Sequence, residues 1–234
     1  MPDKPVPDKD AAGTGVDVWT FALDAPPSVT ADLSRMLSAD ETMRAARLRK
    51  PAERRHFTVS RGAVRRILAG YLGARPEALY FERDGNGKPR IPGGIHFNLS
   101  HSAGVGVLAV TRGREVGIDV DAPRAGLSPV RLAGRYFPPG EARLVASARC
   151  PGETFVRLWT RKEAVVKAAG GRMVEGLGIP VADAARPVRD PAGRVPGEWT
   201  VSDLTLRGGH LAAVAVEGVR RFPIIVRHAY LGSA

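Results

Sequence analysis

The chain of 234 residues is 44% hydrophobic, 25% charged and 6% aromatic, proportions that exclude a disordered or low-complexity protein. Its single cysteine, Cys150, excludes an intramolecular disulfide framework and a zinc site built on cysteines. No apolar run reaches the roughly 18 residues that a membrane-spanning helix needs, and the first residues lack the pattern of a secretory signal. We therefore expect a cytoplasmic protein with no membrane partner.

The net charge of +11 is the unusual bulk property of this chain. Such a charge attracts polyanions, which include nucleic acids, acidic membrane surfaces, phosphorylated ligands and acidic proteins. An excess of arginine also follows from codon usage in GC-rich genomes. The charge alone therefore does not identify a partner.

The first half of the chain begins with a segment rich in Pro, Asp, Lys and Gly, and this composition predicts a disordered tail over residues 1–15. Alternating apolar residues predict a strand at 16–23. Two helices are predicted next, at 44–50 and 53–72, and the second has one apolar and one arginine-rich face. Short strands separated by turn residues complete this half, at 79–82, 95–99, 104–111 and 115–121.

The second half follows a predicted linker at residues 122–126. Three helices are predicted there: one at 130–135, a second that begins directly after Pro138-Pro139, and a third at 154–169. Three strands follow, at 199–206, 210–217 and 223–228. Helices followed by strands thus occur twice, in residues 16–121 and 127–234. This order predicts an α+β fold of two pseudo-symmetric halves, each a small antiparallel sheet packed with helices.

Two carboxylates stand out in the last strand of the first half. Asp119 and Asp121 are two positions apart and therefore project from the same face of the strand. Neighbouring carboxylates repel each other unless solvent or a cation lies between them, and oxygen ligands of this kind suit Mg²⁺ or Mn²⁺. The alternative is a solvated strand end that runs into a turn.

The long helix predicted at 154–169 has a second group of candidate residues. Trp159, Glu163 and Lys167 are spaced four residues apart and follow one stripe of the helix. An exposed ion pair between Glu163 and Lys167 is the ordinary interpretation. The tryptophan on the same stripe instead favours a packed interface, where a charged pair has a function.

A third candidate group closes the strand predicted at 95–99. Ser100, His101 and Ser102 offer several hydrogen-bond donors for phosphate oxygens. A hydrolase triad is not indicated, because no G-x-S-x-G sequence surrounds Ser100. The alternative for His101 is a structural histidine in a turn.

Taken together and in this order, these segments resemble the Sfp-type 4′-phosphopantetheinyl transferases. The resemblance spans about residues 37–170 and depends on five matching motifs: Gly87-Lys88-Pro89, FNLSHS (97–102), GIDVD (117–121), Phe137-Pro138 with Glu141, and LWTRKEAVVKAAG (158–170). It implies an enzyme that transfers the 4′-phosphopantetheine group of coenzyme A to a serine of an apo acyl or peptidyl carrier protein and releases 3′,5′-ADP. It also implies an active site in the cleft between the two halves.

The resemblance also implies roles for individual residues. Asp119, Asp121 and Glu163 match the Mg²⁺ ligands, although the second of these positions is often Glu in the family. Lys167 matches the lysine that contacts the pyrophosphate, and we expect Asp119, Glu163 and Lys167 to be catalytic, with Glu163 as the base for the serine. The residues that match coenzyme A contacts are Lys88, Ser100, His101, Lys167 and, on the basic helix, Arg54 and Arg61.

The implied partner is an acidic apo carrier protein from fatty acid, polyketide or nonribosomal peptide synthesis, which a basic enzyme attracts by electrostatic steering. We expect a monomer. One competing hypothesis is a family member that binds the carrier or coenzyme A without catalysis. Another is a nucleic-acid-binding module, suggested by the basic residues from Arg44 to Arg66, which lack interleaved aromatic residues for base stacking.

Overall fold

The computed structural model describes residues 15–232 and confirms the predicted α+β class. Nearly all of the predicted tail, residues 1–14, lies outside the described residues. The strands are β1 (Val16–Ala22), β2 (Glu82–Arg83), β3 (Pro89–Arg90), β4 (Ile95–Ser102), β5 (Val105–Arg112), β6 (Val116–Asp121), β7 (Trp199–Thr205), β8 (Leu211–Glu217) and β9 (Ile224–His228). The helices are α1 (Pro27–Ser34), α2 (Ala39–Arg47), α3 (Pro51–Leu72), α4 (Pro129–Tyr136), α5 (Pro139–Ser147), α6 (Pro151–Ala169) and α7 (Met173–Gly176).

The first sheet has the strand order β4-β5-β1-β9. Strand β1 pairs antiparallel with β5, in agreement with the antiparallel sheets that we predicted, but its parallel pairing with β9 at the edge of the sheet departs from that prediction. The parallel pair arises because the last strand of the chain returns to this sheet after a long connection through the second sheet.

The second sheet has the order β6-β8-β7, and all of its pairs are antiparallel. Strand β6 precedes residues 122–126 in the chain, whereas β9 of the first sheet follows them. Each sheet therefore includes one strand from the other side of this segment. The division into halves at residues 122–126 stays a prediction.

The strand expected at 79–82 is mostly absent, since β2 begins only at Glu82. A 3₁₀ turn (Pro76–Ala78) lies before it, and the guanidinium of the buried Arg65 donates hydrogen bonds to the carbonyl oxygens of Pro76 and Leu79. These carbonyl groups bind a side chain and so do not pair with a neighbouring strand. The helical periodicity of α3 does not show that one of its arginines is buried.

One helix covers each sheet. The apolar face of α3 packs on β1, β4 and β5, with Val59, Ala63 and Leu68 buried in this first core. Helix α6 packs on the second sheet through residues that include Val156, Val165 and Ala168. No helix within the described range 15–232 is long and apolar enough to cross a membrane.

The two sheets meet in a third apolar cluster. Val18 and Val107 of the first sheet pack there against Ile118, Val120 and Val214 of the second. This contact brings β4 alongside β6, since the buried side-chain oxygen of Asn98 accepts a hydrogen bond from the Ile118 backbone N–H at 3.1 Å. The carboxyl ends of β4 and β6 consequently lie next to each other.

Candidate active site

The two aspartates at the end of β6 each face a serine of β4. Ser100 donates a hydrogen bond to Asp119 Oδ1 at 2.7 Å, and Ser102 donates to Asp121 Oδ1 at 2.8 Å. Asp119 is only 6% exposed. The alternation along both strands therefore aligns two hydroxyls with two carboxylates across the junction of the sheets.

Helix α6 adds an ammonium group and a third carboxylate. The Lys167 Nζ lies 2.7 Å from Asp119 Oδ1 and 3.1 Å from Ser100 Oγ. Glu163 lies one helical turn earlier and is half-buried. It interacts electrostatically with Asp119 and Asp121. The predicted stripe on α6 therefore faces the aspartates of β6.

The close contact between α6 and β6 depends on Gly117. A Cβ atom at this position would lie 2.1 Å from the Ala164 carbonyl oxygen and 2.4 Å from the Ala168 nitrogen. Only a glycine lets the helix backbone approach the strand this closely. The glycine of the GIDVD motif thus sets the distance between Asp119 and Lys167.

Burial disfavours the charged forms of both the buried Asp119 and the half-buried Glu163. Burial raises the pKa of Asp119, an effect that Lys167 and Ser100 oppose and the charge of Asp121 adds to. Burial likewise raises the pKa of Glu163, against the influence of Lys167 and with that of Asp119 and Asp121. A carboxylate whose pKa is raised is a better proton acceptor than an exposed one.

Asp119, Asp121 and Lys167 line a cleft of about 390 Å³, whereas Glu163 is not among its lining residues. Three basic side chains line it, those of Arg61 from α3, Arg124 from the segment after β6, and Lys167. His101 also lines the cleft, and desolvation together with the positive charge of Lys167 lowers its pKa. The remaining lining residues are Pro89, Asn98, Leu99, Ser100, Ser102, Asp119, Val120, Asp121 and Trp159.

Two residues expected to bind coenzyme A do not line this cleft. Arg54 is exposed on α3, and its guanidinium donates to the Leu48 carbonyl oxygen at 3.0 Å. Lys88 is buried, and its ammonium group is bonded to protein acceptors. The placement supports neither side chain as a ligand contact, whereas Arg61, Ser100, His101 and Lys167 all face the cleft.

Sequence analysis missed Arg124 as a site residue. Its guanidinium lies 2.9 Å from Asp121 Oδ1, which also accepts from the backbone N–H of Ala122. An arginine three positions after an aspartate, inside a predicted linker, is too common a pattern to mark a site. Glu141, part of the Phe-Pro motif, lies away from the cleft and forms a buried ion pair with Lys162 at 2.6 Å.

The donor types at the cleft suit a small divalent cation, because carboxylate oxygens are the ligands that Mg²⁺ and Mn²⁺ prefer. Across residues 15–232, however, no group of three or more His, Cys, Asp or Glu side chains is gathered closely enough to hold a metal. Lys167 and Arg124 supply the positive charge beside Asp119 and Asp121 instead. The carboxylates of Asp119, Asp121 and Glu163 therefore fit a cation by the type of their donor atoms.

Comparison with known proteins identifies the family. The family model of the 4′-phosphopantetheinyl transferase superfamily matches residues 115–215, which include β6, α6 and β8. The chain is 37% identical over 212 residues to the 4′-phosphopantetheinyl transferase HetI of Nostoc sp., a match that covers 87% of this chain and 88% of that protein.

Two further relatives agree with this result. The 4′-phosphopantetheinyl transferase psf-1 of Bacillus pumilus is 32% identical over 152 residues, 62% of this chain and 63% of that protein. The L-aminoadipate-semialdehyde dehydrogenase-phosphopantetheinyl transferase of Xenopus laevis is 29% identical, with 76% of this chain and 72% of that protein covered. Together with the match to HetI along most of both chains, they confirm the resemblance seen in the motifs: the chain belongs to the 4′-phosphopantetheinyl transferase superfamily and is an enzyme of that family.

Proposed function

We propose that this enzyme transfers the 4′-phosphopantetheine group of coenzyme A to a serine of an apo acyl or peptidyl carrier protein in the cleft between β4, β6 and α6. The observation that supports this location is the ion pair between Asp119 and Lys167, from two different elements, at a cleft lined with further basic residues. Glu163 does not line the cleft, but it lies near enough to interact electrostatically with both groups. Carriers of fatty acid, polyketide and nonribosomal peptide synthesis all present the same serine chemistry.

The basic and hydroxyl groups of the cleft form the proposed binding site for the phosphates of coenzyme A. Arg61 and Lys167 supply positive charge, and Ser100 and His101 supply hydrogen-bond donors, on adjoining parts of its wall. A guanidinium group binds two phosphate oxygens at once, and an ammonium group acts as a compact charge. Arg124 extends the basic lining on the side of Asp121.

Asp119, Asp121 and Glu163 are the residues that we propose to hold a divalent cation, Mg²⁺ or in its place Mn²⁺. Support comes from their oxygen donors and from the negative charges of Asp119 and Asp121, which add to the effect of burial in raising the pKa of Glu163 while Lys167 opposes it. Such a cation, when bound, neutralises negative charge on the diphosphate of coenzyme A.

In the proposed reaction, the serine oxygen of the carrier bonds to the β-phosphorus of coenzyme A. The bond from this phosphorus to the bridging oxygen breaks, and 3′,5′-ADP leaves with the electron pair. Glu163 accepts the serine proton, a role that its desolvated carboxylate suits. Lys167 stabilises the charge that develops on the departing phosphate, since its ammonium group already lies between Asp119 and Ser100.

The proposed carrier is acidic, because a chain with a net charge of +11 gains association rate with a negatively charged partner. We further propose that the enzyme is a cytoplasmic monomer whose partners include neither a membrane nor a nucleic acid. The exposed Cys150, alone in the sequence, is consistent with a reducing compartment.

Intact-protein mass spectrometry of an apo carrier protein tests this function. The carrier is incubated with the enzyme, coenzyme A and Mg²⁺, and we expect a mass increase of one phosphopantetheine per carrier. Addition of EDTA is expected to prevent the increase, and a carrier with its acceptor serine changed to alanine serves as the control. Coenzyme A binding without any mass increase on several unrelated carriers would favour the inactive binder instead.

A further inference from the structure

The buried Lys88 makes three hydrogen bonds at a junction outside the cleft. Its Nζ donates to the Ala168 carbonyl oxygen at 2.7 Å, to Glu115 Oε2 at 2.8 Å and to the Val116 carbonyl oxygen at 3.2 Å. An ammonium group has three protons, so each of them has an acceptor here. The side chain is 7% exposed.

These acceptors lie at two of the three elements that form the proposed active site, α6 and β6. Ala168 directly follows Lys167 in the last turn of α6, Val116 is the first residue of β6, and Glu115 directly precedes it. The last carbonyl groups of a helix lack partners within the helix, and a cation placed there also interacts favourably with the helix dipole. Lys88 thus caps the carboxyl end of α6 and ties it to β6.

The turn before Lys88 is built to hold this position. Asp84 Oδ1 accepts hydrogen bonds from the backbone N–H groups of Asn86 and Lys88, at 3.1 and 2.9 Å. The same turn packs against the end of the helix, where a Cβ atom on Gly170 would lie 3.1 Å from Asp84 Oδ2. The hairpin β2–β3 therefore presents Lys88 to α6 as part of a rigid contact.

All three protons of the Lys88 ammonium group are already donated, so contact with coenzyme A would break at least one of these hydrogen bonds. If the buried carbonyl oxygen of Ala168 or of Val116 lost this donor, the cost in free energy would be substantial. Glu115 would retain Arg90 and His96, which also contact it. A side chain bonded in this way serves the architecture of the site rather than the substrate.

We infer that Lys88 is a positioning residue for phosphopantetheine transfer, which fixes the end of α6, and with it Lys167, against β6 and Asp119. This inference rests on the proposed function. It departs from the role that the family resemblance implies for Lys88, since the ammonium group binds the protein and not coenzyme A.

Lys88→Met separates the two roles. We expect kcat to fall about tenfold or more while the Kd for coenzyme A, measured by calorimetry, changes less than twofold. Hydrogen exchange should become faster in the last turn of α6. Arg61→Ala, a change within the cleft, is the contrasting variant and should raise the Kd for coenzyme A.

Glu115→Gln keeps the experiment decisive if Lys88→Met does not fold. Glu115 does not line the cleft, so this variant should lower kcat less than Lys88→Met does, again with an unchanged Kd for coenzyme A. The kcat of the double variant should lie within twofold of the kcat of Lys88→Met, because the two residues act as one unit.

A rise of tenfold or more in the Kd for coenzyme A in Lys88→Met would overturn the inference, whatever happens to kcat. Unchanged values of kcat, Kd and exchange would overturn it as well. If the unaltered enzyme modifies no carrier, the proposed function fails. The rate of hydrogen exchange in the last turn of α6, compared between the unaltered protein and Lys88→Met, then decides whether Lys88 holds the helix.

Discussion

Asp119 and Lys167 form an ion pair at the proposed site of phosphopantetheine transfer. Burial makes the carboxylate of Asp119 costly, and the ammonium group 2.7 Å away offsets part of that cost. The ionised form of Asp119 therefore depends on Lys167. We expect a phosphate group that enters the cleft to compete with Asp119 for Lys167. Substrate binding would then be linked to the ionisation of Asp119.

Glu115 provides a test of the charges at the junction with Lys88. Burial favours its neutral form, but hydrogen bonds from Lys88 and Arg90 outweigh this effect and lower its pKa from 4.5 to about 2. The charged form thus stabilises the fold above pH 4.5, and this contribution disappears as the pH falls toward 2. At neutral pH it amounts to at most about 3.5 kcal/mol, since each pKa unit corresponds to about 1.4 kcal/mol.

We therefore expect Glu115→Gln to be less stable than the unaltered protein at neutral pH, with the difference narrowing as the pH drops below the ordinary pKa of glutamate. Urea unfolding at a series of pH values measures this difference. A constant difference between the proteins over the whole acidic range would contradict the assigned ion pair.

At this scale, periodicity alone indicated Asp119, Asp121 and Lys167 but not Arg61 or Arg124, which also line the cleft. Asp119 and Asp121 share a strand face, and Glu163 and Lys167 share a helix stripe, because these spacings are fixed by local geometry. The contacts of Lys88 could not be predicted in the same way. They arise when a hairpin turn folds onto the end of a helix 80 positions away in the sequence.

Among the elements, the contact between β6 and α6 matters most for the site. Gly117→Ala would place a methyl group 2.1 Å from the Ala164 carbonyl oxygen, so the helix must move away from the strand. We expect a loss of about 1–3 kcal/mol in the free energy of unfolding, as for other overpacked cores. We also expect a larger fractional loss of kcat, because the shift separates Lys167 from Asp119.

Gly134→Ala is the matched control for this prediction. Gly134 is exposed in α4, and a Cβ atom there has no neighbour within 4 Å among the described residues. Alanine should leave activity unchanged and raise stability by up to about 1 kcal/mol, as expected within a helix. Calorimetric unfolding and the carrier assay measure both variants. Equal changes in unfolding free energy and in kcat for Gly117→Ala and Gly134→Ala would refute the role given to Gly117.

Most helices and strands were predictable within a few residues, because their apolar spacing reflects the faces that they bury. The helices at 51–72 and 151–169 are examples, although both begin slightly before their predicted first residues. The parallel pairing of β9 with β1 was not predictable. Strand pairing between distant segments depends on which apolar faces meet, and the order of elements in the sequence does not show this.

At the scale of the whole molecule, the positive charge predicts how the enzyme meets its carrier. Salt screens charges separated by more than about 10 Å at 0.1 M ionic strength, and groups in a cleft are screened less. Raising the salt concentration should therefore increase KM for an acidic carrier several-fold more than KM for coenzyme A.

Steady-state kinetics at several salt concentrations measure this effect. A carrier whose exposed acidic residues are replaced by their amides is the control, and its KM should depend little on salt. If salt affects the two carriers equally, electrostatic steering does not account for the charge of +11.

The central claim is that phosphopantetheine transfer takes place at the end of β6 with Glu163 as the base. Intact mass spectrometry of the carrier, with Glu163→Gln beside Glu153→Gln, tests it most directly. Glu153 is exposed in the first turn of the same helix. We expect Glu163→Gln to fold normally and to lose at least about 100-fold in rate, while Glu153→Gln modifies the carrier like the unaltered enzyme. Retained activity in Glu163→Gln would remove this residue from the mechanism.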